Sequence, residues 1–276
     1  MRLSLCTITF RHHLIGIETI SEWAVANDFD GIELWGVHAR NLRAVPRLGE
    51  HWLRRQGLDC VMISDYLMAD DARQARIWAT EHVELALHWG ARKIRSFAGA
   101  TASAAATPEA VRATAKALRA ACEVLADRGL MLLIETHPGT LADSTDACLR
   151  ILQAIDHPSV GVNLDPLHLW EAGDDLRSAL PRLAPHIAHC HLKNVDQRFN
   201  MAVFSPANVY AASGSRKGMV PLGDGAVAYD ELLPLLPAGV DLSLEWFGDN
   251  SFATLAQDCG FVRSLTGGWR RLSSCS

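Results

Sequence analysis

Acidic and imidazole side chains recur in this chain at the ends of short apolar runs: Glu135-Thr136-His137, Asn163-Leu164-Asp165-Pro166-Leu167-His168, His189-Cys190-His191-Leu192-Lys193 and Leu244-Glu245-Trp246-Phe247. Side chains two apart on an extended strand share a face, so Glu135 should point with His137 and His191 with Lys193. Three carboxylates brought together, Glu135, Asp165 and Glu245, repel one another, and without compensation at least one must take up a proton. A divalent cation removes that conflict. With one neutral imidazole from His191 the donors become three carboxylates and one nitrogen, leaving coordination room for water or substrate. Such an oxygen-dominated set suits Mn²⁺ or Mg²⁺ and also accepts Zn²⁺ or Co²⁺. A single acidic residue at a strand end more often caps a loop or meets an ion-pair partner. Four such positions on successive strands favour a metal, because unpaired charge inside a fold is costly. His51, His82, His88 and His157 show no comparable spacing and read as surface or helix-packing residues.

The elements that must position these groups follow a repeating pattern. Short runs rich in Val, Ile and Leu alternate with longer amphipathic stretches, the signature of a parallel sheet covered by helices. Eight such units can be counted, with strands expected at 3–9, 31–35, 59–64, 93–97, 130–136, 160–165, 187–193 and 242–247. In a closed parallel barrel both faces of a strand are buried, so charged side chains are tolerated mainly at the C-terminal mouth, where loops build an active site. The clearest helices are expected at 72–89 and 108–127. The second opens on Thr107 as N-cap, Pro108 in the first turn and Glu109 near the positive helix end, and Gly90 and Gly129 stop the two. The stretch at about 195–228 is too long for a plain connector and reads as a lid or binding loop. The tail from about 267 to 276 shows no periodicity and is expected to fray.

Composition narrows the function classes. Length and a 49% hydrophobic content suit one barrel domain spanning 1–276. Lys and Arg number 26 against 31 Asp and Glu, a net charge of −5 with no long run of one sign, so nucleic acid is not expected as a partner. The seven cysteines (Cys6, Cys60, Cys122, Cys148, Cys190, Cys259, Cys275) are scattered, odd in number and free of Cys-x-x-Cys spacing, which predicts reduced thiols in a cytoplasm. The start of the chain is too briefly apolar for a signal peptide or a membrane span. Oligomeric state is not readable, and a homo-oligomer stays open.

Nine strings carry a resemblance: SLCTITFRH (4–12), GIELWG (31–36), MISDYL (62–67), KIRSFAG (93–99), IETHPGTLAD (134–143), NLDPLHLWEAG (163–173), HLKN (191–194), NVYAASGSRKGMVPLGDG (208–225) and SLEWFG (243–248). In this order, and over nearly the whole chain, they resemble the bacterial 3-dehydroshikimate dehydratases that supply catechol to siderophore pathways. Those enzymes fall in the xylose-isomerase-like barrel superfamily. The resemblance implies a single (β/α)₈ barrel in which Glu135, Asp165, His191 and Glu245 hold one divalent ion. It implies that His137, His168 and Lys193 move protons or orient the substrate, with Arg95, Tyr66 and Tyr210 around it. Glu33 and His12 fall in matching strings and are expected beside the site.

The implied reaction dehydrates 3-dehydroshikimate to 3,4-dihydroxybenzoate (protocatechuate). Two adjacent substrate oxygens would chelate the metal, the intervening C–H would be lost to give an enediolate, and expulsion of the β-hydroxyl would lead to the aromatic ring. His137 is favoured as base, with His168 as competitor; Arg95 suits a bidentate grip on the substrate carboxylate. Three rivals share parts of this pattern. A sugar or inositol-derivative isomerase, epimerase or dehydratase would use similar chemistry on the same fold. An endonuclease would want more metal-binding histidines and a basic surface. A non-catalytic polyol-binding barrel would not need bases beside its ligands.

Overall fold

The computed structural model describes residues 1–67 and 71–266. The expected tail, and Cys275 with it, lies outside the described residues; the other six cysteines are buried free thiols. Eight parallel strands close into a barrel: β1 (Leu3–Cys6), β2 (Gly31–Trp35), β3 (Asp59–Ser64), β4 (Lys93–Ser96), β5 (Met131–Glu135), β6 (Val160–Leu164), β7 (Ile187–Leu192) and, after the short β8 (Asn194–Val195) and β9 (Met219–Val220), β10 (Asp241–Leu244). The strand order around the barrel is β1-β10-β7-β6-β5-β4-β3-β2. Register shifts fall between Ile32 and Glu33 and between Val162 and Asn163. Such irregularities re-aim side chains, and here they adjoin buried polar residues facing the barrel axis.

Six of the eight expected strands run past their observed ends, the first and the last by three residues. The alternating run from residue 3 continues past Cys6 not as strand but as a 3-10 turn, Thr7–Phe10. The Thr7 hydroxyl accepts the Trp35 N–H at 2.9 Å and the Thr9 hydroxyl accepts the Trp246 N–H at 3.1 Å, so both threonines staple neighbouring strand ends rather than extend a ladder. At the other end β10 stops at Leu244, which leaves Glu245 just beyond the strand at the mouth.

Helices surround the barrel. Ala72–Trp89 is capped by Asp71, whose carboxylate accepts the Gln74 N–H at 2.9 Å, and ends at Gly90 with φ 73°. Pro108–Ala126 is capped by the Thr107 hydroxyl. The 195–228 insertion is ordered by short elements: the 3-10 turn Arg198–Phe204, the helical turn Pro206–Val209 and the antiparallel pairing of β8 with β9. Its base is held by Asn194, whose amide donates to Leu222 O at 2.8 Å and Val227 O at 2.9 Å. Gly225 is required there, since a Cβ would stand 2.1 Å from Asn194 Cγ. No helix among the described residues is long and apolar enough to cross a membrane.

Candidate active site

The strand ends place the carboxylates and imidazoles on one end of the barrel. Glu135 is the last residue of β5, Asp165 follows β6, His191 lies in β7 with Lys193 just after it, and Glu245 follows β10. All five are buried. His191 Nδ1 lies 3.4 Å from Glu135 Oε1 and 3.9 Å from Glu245 Oε2. Asp165 uses one oxygen locally: Oδ1 caps the helix Pro166–Ala172 by accepting from Leu167 N at 3.1 Å, while Oδ2 faces the site. Ligand atoms of Asp165, His191 and Glu245 lie within 4.8 Å of one another, as do those of Glu135, Asp165 and His168.

Lys193 sits among these acids, its Nζ 2.6 Å from both Asp165 Oδ2 and Glu245 Oε2. Arg95 does the same for Glu135, with Nε 2.9 Å from Oε2. Burial works to raise the Glu135 and Asp165 carboxyls, but Arg95 and His191 for the first, and Lys193 for the second, hold both below the usual range. Burial likewise opposes the charged form of His191, yet Glu33, Glu245 and Glu135 together pull its imidazole well up. The repulsion anticipated between the acids is therefore partly met by the chain's own cations.

Three polar atoms nevertheless find no aligned hydrogen-bond partner: His191 Nδ1, Asp165 Oδ2 and Glu135 Oε2, the last two close to Lys193 and Arg95 but off axis. Buried polar atoms without partners are expensive and rare. Their sharing one small volume is what a cation site requires, and the donor set of carboxylates with one imidazole fits a hard divalent ion.

A cavity of about 420 Å³ opens above these groups. Glu135, Glu245, His137, His168, Lys193, Arg95, Tyr66 and Tyr210 all line it, together with the apolar walls Ile8, Phe97, Phe204, Val209 and Phe247. His137 Nδ1 donates to Pro138 O at 2.8 Å, which leaves Nε2 as the bare nitrogen. Burial, then His168, pushes its imidazole down to about 3, so it is neutral around pH 7. His168 Nδ1 donates to Glu171 Oε2 at 3.0 Å. Arg95 lies over the rings of Tyr66 and Phe97, with Cζ 4.9 and 5.1 Å from their centroids. Tyr66 and Tyr210 meet hydroxyl to hydroxyl at 2.6 Å, and Tyr210 stacks on Trp35.

Two residues expected beside the site do not line the cavity. His12 is exposed and is not among the cavity residues. Its neighbour Arg11 is the structural one: Nε donates to Val209 O at 2.7 Å and Cζ lies 4.9 Å from the Phe247 ring, clasping the insertion to the barrel. Glu33 sits inside the barrel and not on the cavity, accepting from His191 Nε2 at 3.0 Å. His82, read as packing, is buried with Nε2 2.8 Å from Asp65 Oδ2, and Arg40 contacts the same oxygen. Asp65 in turn accepts the Tyr66 N–H at 3.0 Å. Nothing in the spacing of Arg40, Asp65 and His82 pointed to that support. A larger cavity, about 730 Å³, opens at the opposite end near Met131, Val160 and Ile187, the starts of β5 to β7, where barrels place stability rather than chemistry.

The family model for the xylose isomerase-like TIM barrel matches residues 21–265. The chain is 40% identical over 260 residues to the 3-dehydroshikimate dehydratase of Bacillus anthracis, covering 91% of this chain and 92% of that one. Among solved structures, the probable 3-DHS dehydratase AsbF involved in petrobactin synthesis from Bacillus anthracis superposes with a TM-score of 0.90 at 39% identity, covering 95% of this chain and 98% of that one. A xylose isomerase-like TIM barrel protein from Mycobacterium smegmatis in complex with magnesium shares the fold at 16% identity, with a TM-score of 0.67 and 96% of each chain covered.

Proposed function

The chain belongs to the xylose isomerase-like TIM barrel family and, within it, to the family of the Bacillus anthracis 3-dehydroshikimate dehydratase; on that premise we propose that it is a carbon–oxygen lyase converting 3-dehydroshikimate to 3,4-dihydroxybenzoate and water. The observation that carries this reading is the 40% identity maintained over 91% of the chain. The cavity supports it, since a base, an ammonium group and a guanidinium converge on a space large enough for one substituted ring.

Glu135, Asp165, His191 and Glu245 would hold a divalent ion, Mn²⁺ or Mg²⁺ by the hardness of the donors, with Zn²⁺ or Co²⁺ also accommodated. When bound, such an ion supplies Lewis-acid stabilisation of the negative charge that develops on the ketone oxygen. His137 takes the proton from the hydroxyl-bearing carbon next to the ketone through its bare Nε2, which the Pro138 carbonyl fixes by holding the Nδ1 proton. His168 is the second base within the cavity. The β-hydroxyl leaves as water with a proton from Lys193, or with the one His137 took while Lys193 hydrogen-bonds the neighbouring oxyanion. Loss of a second ring proton to a base, with one proton taken up on the former ketone oxygen, completes the aromatic diol and makes the reaction one-way. Arg95, with Nε on Glu135 and Nη1 donating to Asp65 O at 3.4 Å, would meet the substrate carboxylate with the N–H groups left over. Phe97, Phe204 and Phe247 exclude water around the developing charge.

A panel assay separates this reading from its sugar and inositol rivals. Offered 3-dehydroshikimate, an inosose and simple ketoses, the protein should produce an ultraviolet-absorbing catechol from the first alone. Turnover of only the uncarboxylated compounds would transfer the chain to the rival chemistry.

A further inference from the structure

Barrel interiors are ordinarily filled by branched aliphatic side chains in layers. Beneath the cavity this barrel is polar instead, and the contacts of its buried groups fix which atom of each donates. At the base, Asp241 accepts from Arg2 at 2.7 Å and from Lys93 Nζ at 2.6 Å. Lys93 Nζ also lies 3.2 Å from His189 Nδ1. An ammonium group has donors and no acceptor, so His189 Nδ1 must be the bare nitrogen and Nε2 must carry the proton.

A second, independent set of contacts gives the same tautomer. Ser4 Oγ spends its one proton on Leu242 O at 2.8 Å. In the Ser4–Ser243 hydroxyl pair at 2.9 Å, Ser243 must then be the donor. Having used its proton, Ser243 Oγ can only accept from His189 Nε2, which lies 2.7 Å away. The same Nε2 is 3.5 Å from Glu33 Oε2. Glu33, fully buried, receives Ser64 Oγ, Cys6 Sγ at 3.4 Å and, on both oxygens at 3.0 Å, His191 Nε2. With its Nε2 proton committed to Glu33, His191 presents Nδ1 to Glu135 and Glu245.

We propose that Lys93, His189 and Glu33 form a chain of contacts in the barrel, Lys93 and Ser243 holding His189 as the Nε2–H tautomer beside Glu33 and Glu33 accepting from His191, that fixes the orientation and tautomer of His191, so that Lys93 and Glu33 are positioning residues for a metal ligand. This rests on the metal-ligand reading of His191. Carboxylates behind ligating histidines typically change metal affinity about 10- to 100-fold when removed. The same directions argue against a second ion between Glu33 and the two histidines, whose ligand atoms lie within 4.8 Å: His189 Nε2 already carries a proton there.

Histidine-labelled wild-type protein loaded with Zn²⁺ tests the chain without any substitution. A long-range proton–nitrogen spectrum should show His189 and His191 both protonated at Nε2 and bare at Nδ1; an Nδ1-protonated His189 overturns the proposal. Mn²⁺ titration of the stripped protein adds the energetic half. Glu33→Leu should weaken binding about 10- to 100-fold, Lys93→Met should weaken it severalfold, and Lys93→Gln, which keeps a donor without the charge, should recover most of the Lys93→Met loss. Variants that melt earlier yet bind Mn²⁺ as wild type does would show a merely structural role and overturn the chain alone. A wild-type protein that binds no Mn²⁺ overturns the metal reading and the chain with it.

Discussion

His137 and Arg95 illustrate how one cavity assigns different work to neighbouring side chains. His137 is held neutral with its Nε2 free, so His137→Ala should lower kcat by about 10²- to 10⁴-fold while metal content, read by elemental analysis, stays at the wild-type level. Turnover near wild type would pass the role to His168. Arg95→Ala should raise KM for a carboxylated substrate by about tenfold or more; an unchanged KM would place the carboxylate grip on another residue. At this scale the four proposed ligands and His137 could be read from sequence because they stand at strand ends and obey the two-residue period. The contacts of Lys193 with two carboxylates could not, since a side chain's reach across the mouth leaves no trace in spacing. The same holds for Glu33: its string spans β2 with Glu33 at the middle, but only the register shift beside it, and the facing of β7, show that it turns into the barrel rather than into the cavity.

Among the elements, the 195–228 insertion shapes the cavity, contributing Phe204, Pro206, Val209 and Tyr210 to its wall. One of its supports is a buried carboxylate. Asp258, on the helix Ser251–Leu265, accepts the Leu222 N–H at 2.8 Å. Burial, with Asp224 adding to it, raises this carboxyl to about 7, against an ordinary value of 3.8. The folded state therefore binds a proton that the unfolded state has released between about pH 4 and 7, and stability falls as pH rises through that window. Asp258→Asn keeps the acceptor and removes the charge, so it should flatten the slope and raise Tm at pH 8 by roughly 2–4 °C or more. A melting temperature that falls, with the slope retained, would show that the ionised carboxylate is the stabilising form. The insertion's length announced a functional loop, whereas its internal β8–β9 pairing rests on two-residue strands too short for periodicity to reveal. The first strand was overread for the opposite reason: apolar alternation continues through Ile8 and Phe10, while the Thr7 and Thr9 hydroxyls divert the backbone.

Over the whole molecule, eight βα units were legible because a parallel barrel imposes long apolar strands and capped helices, and the closed strand order follows from that repetition. Which barrel chemistry it performs was not legible from the repetition; it came from the grouping of acids at one rim and from likeness to a known family. A net charge of −5 leaves the overall field unfavourable to polyanions, so the carboxylated substrate proposed above would be met by local cations rather than by a global field. The central claim is that Glu135, Asp165, His191 and Glu245 together hold one divalent ion on which dehydration depends. Catechol formation from 3-dehydroshikimate should therefore be followed in chelator-stripped protein, before and after graded addition of Mn²⁺ or Mg²⁺. The expected result is no product until the ion is restored, with saturation at one equivalent bound per chain. Equal turnover by protein shown to be free of metal would contradict the claim.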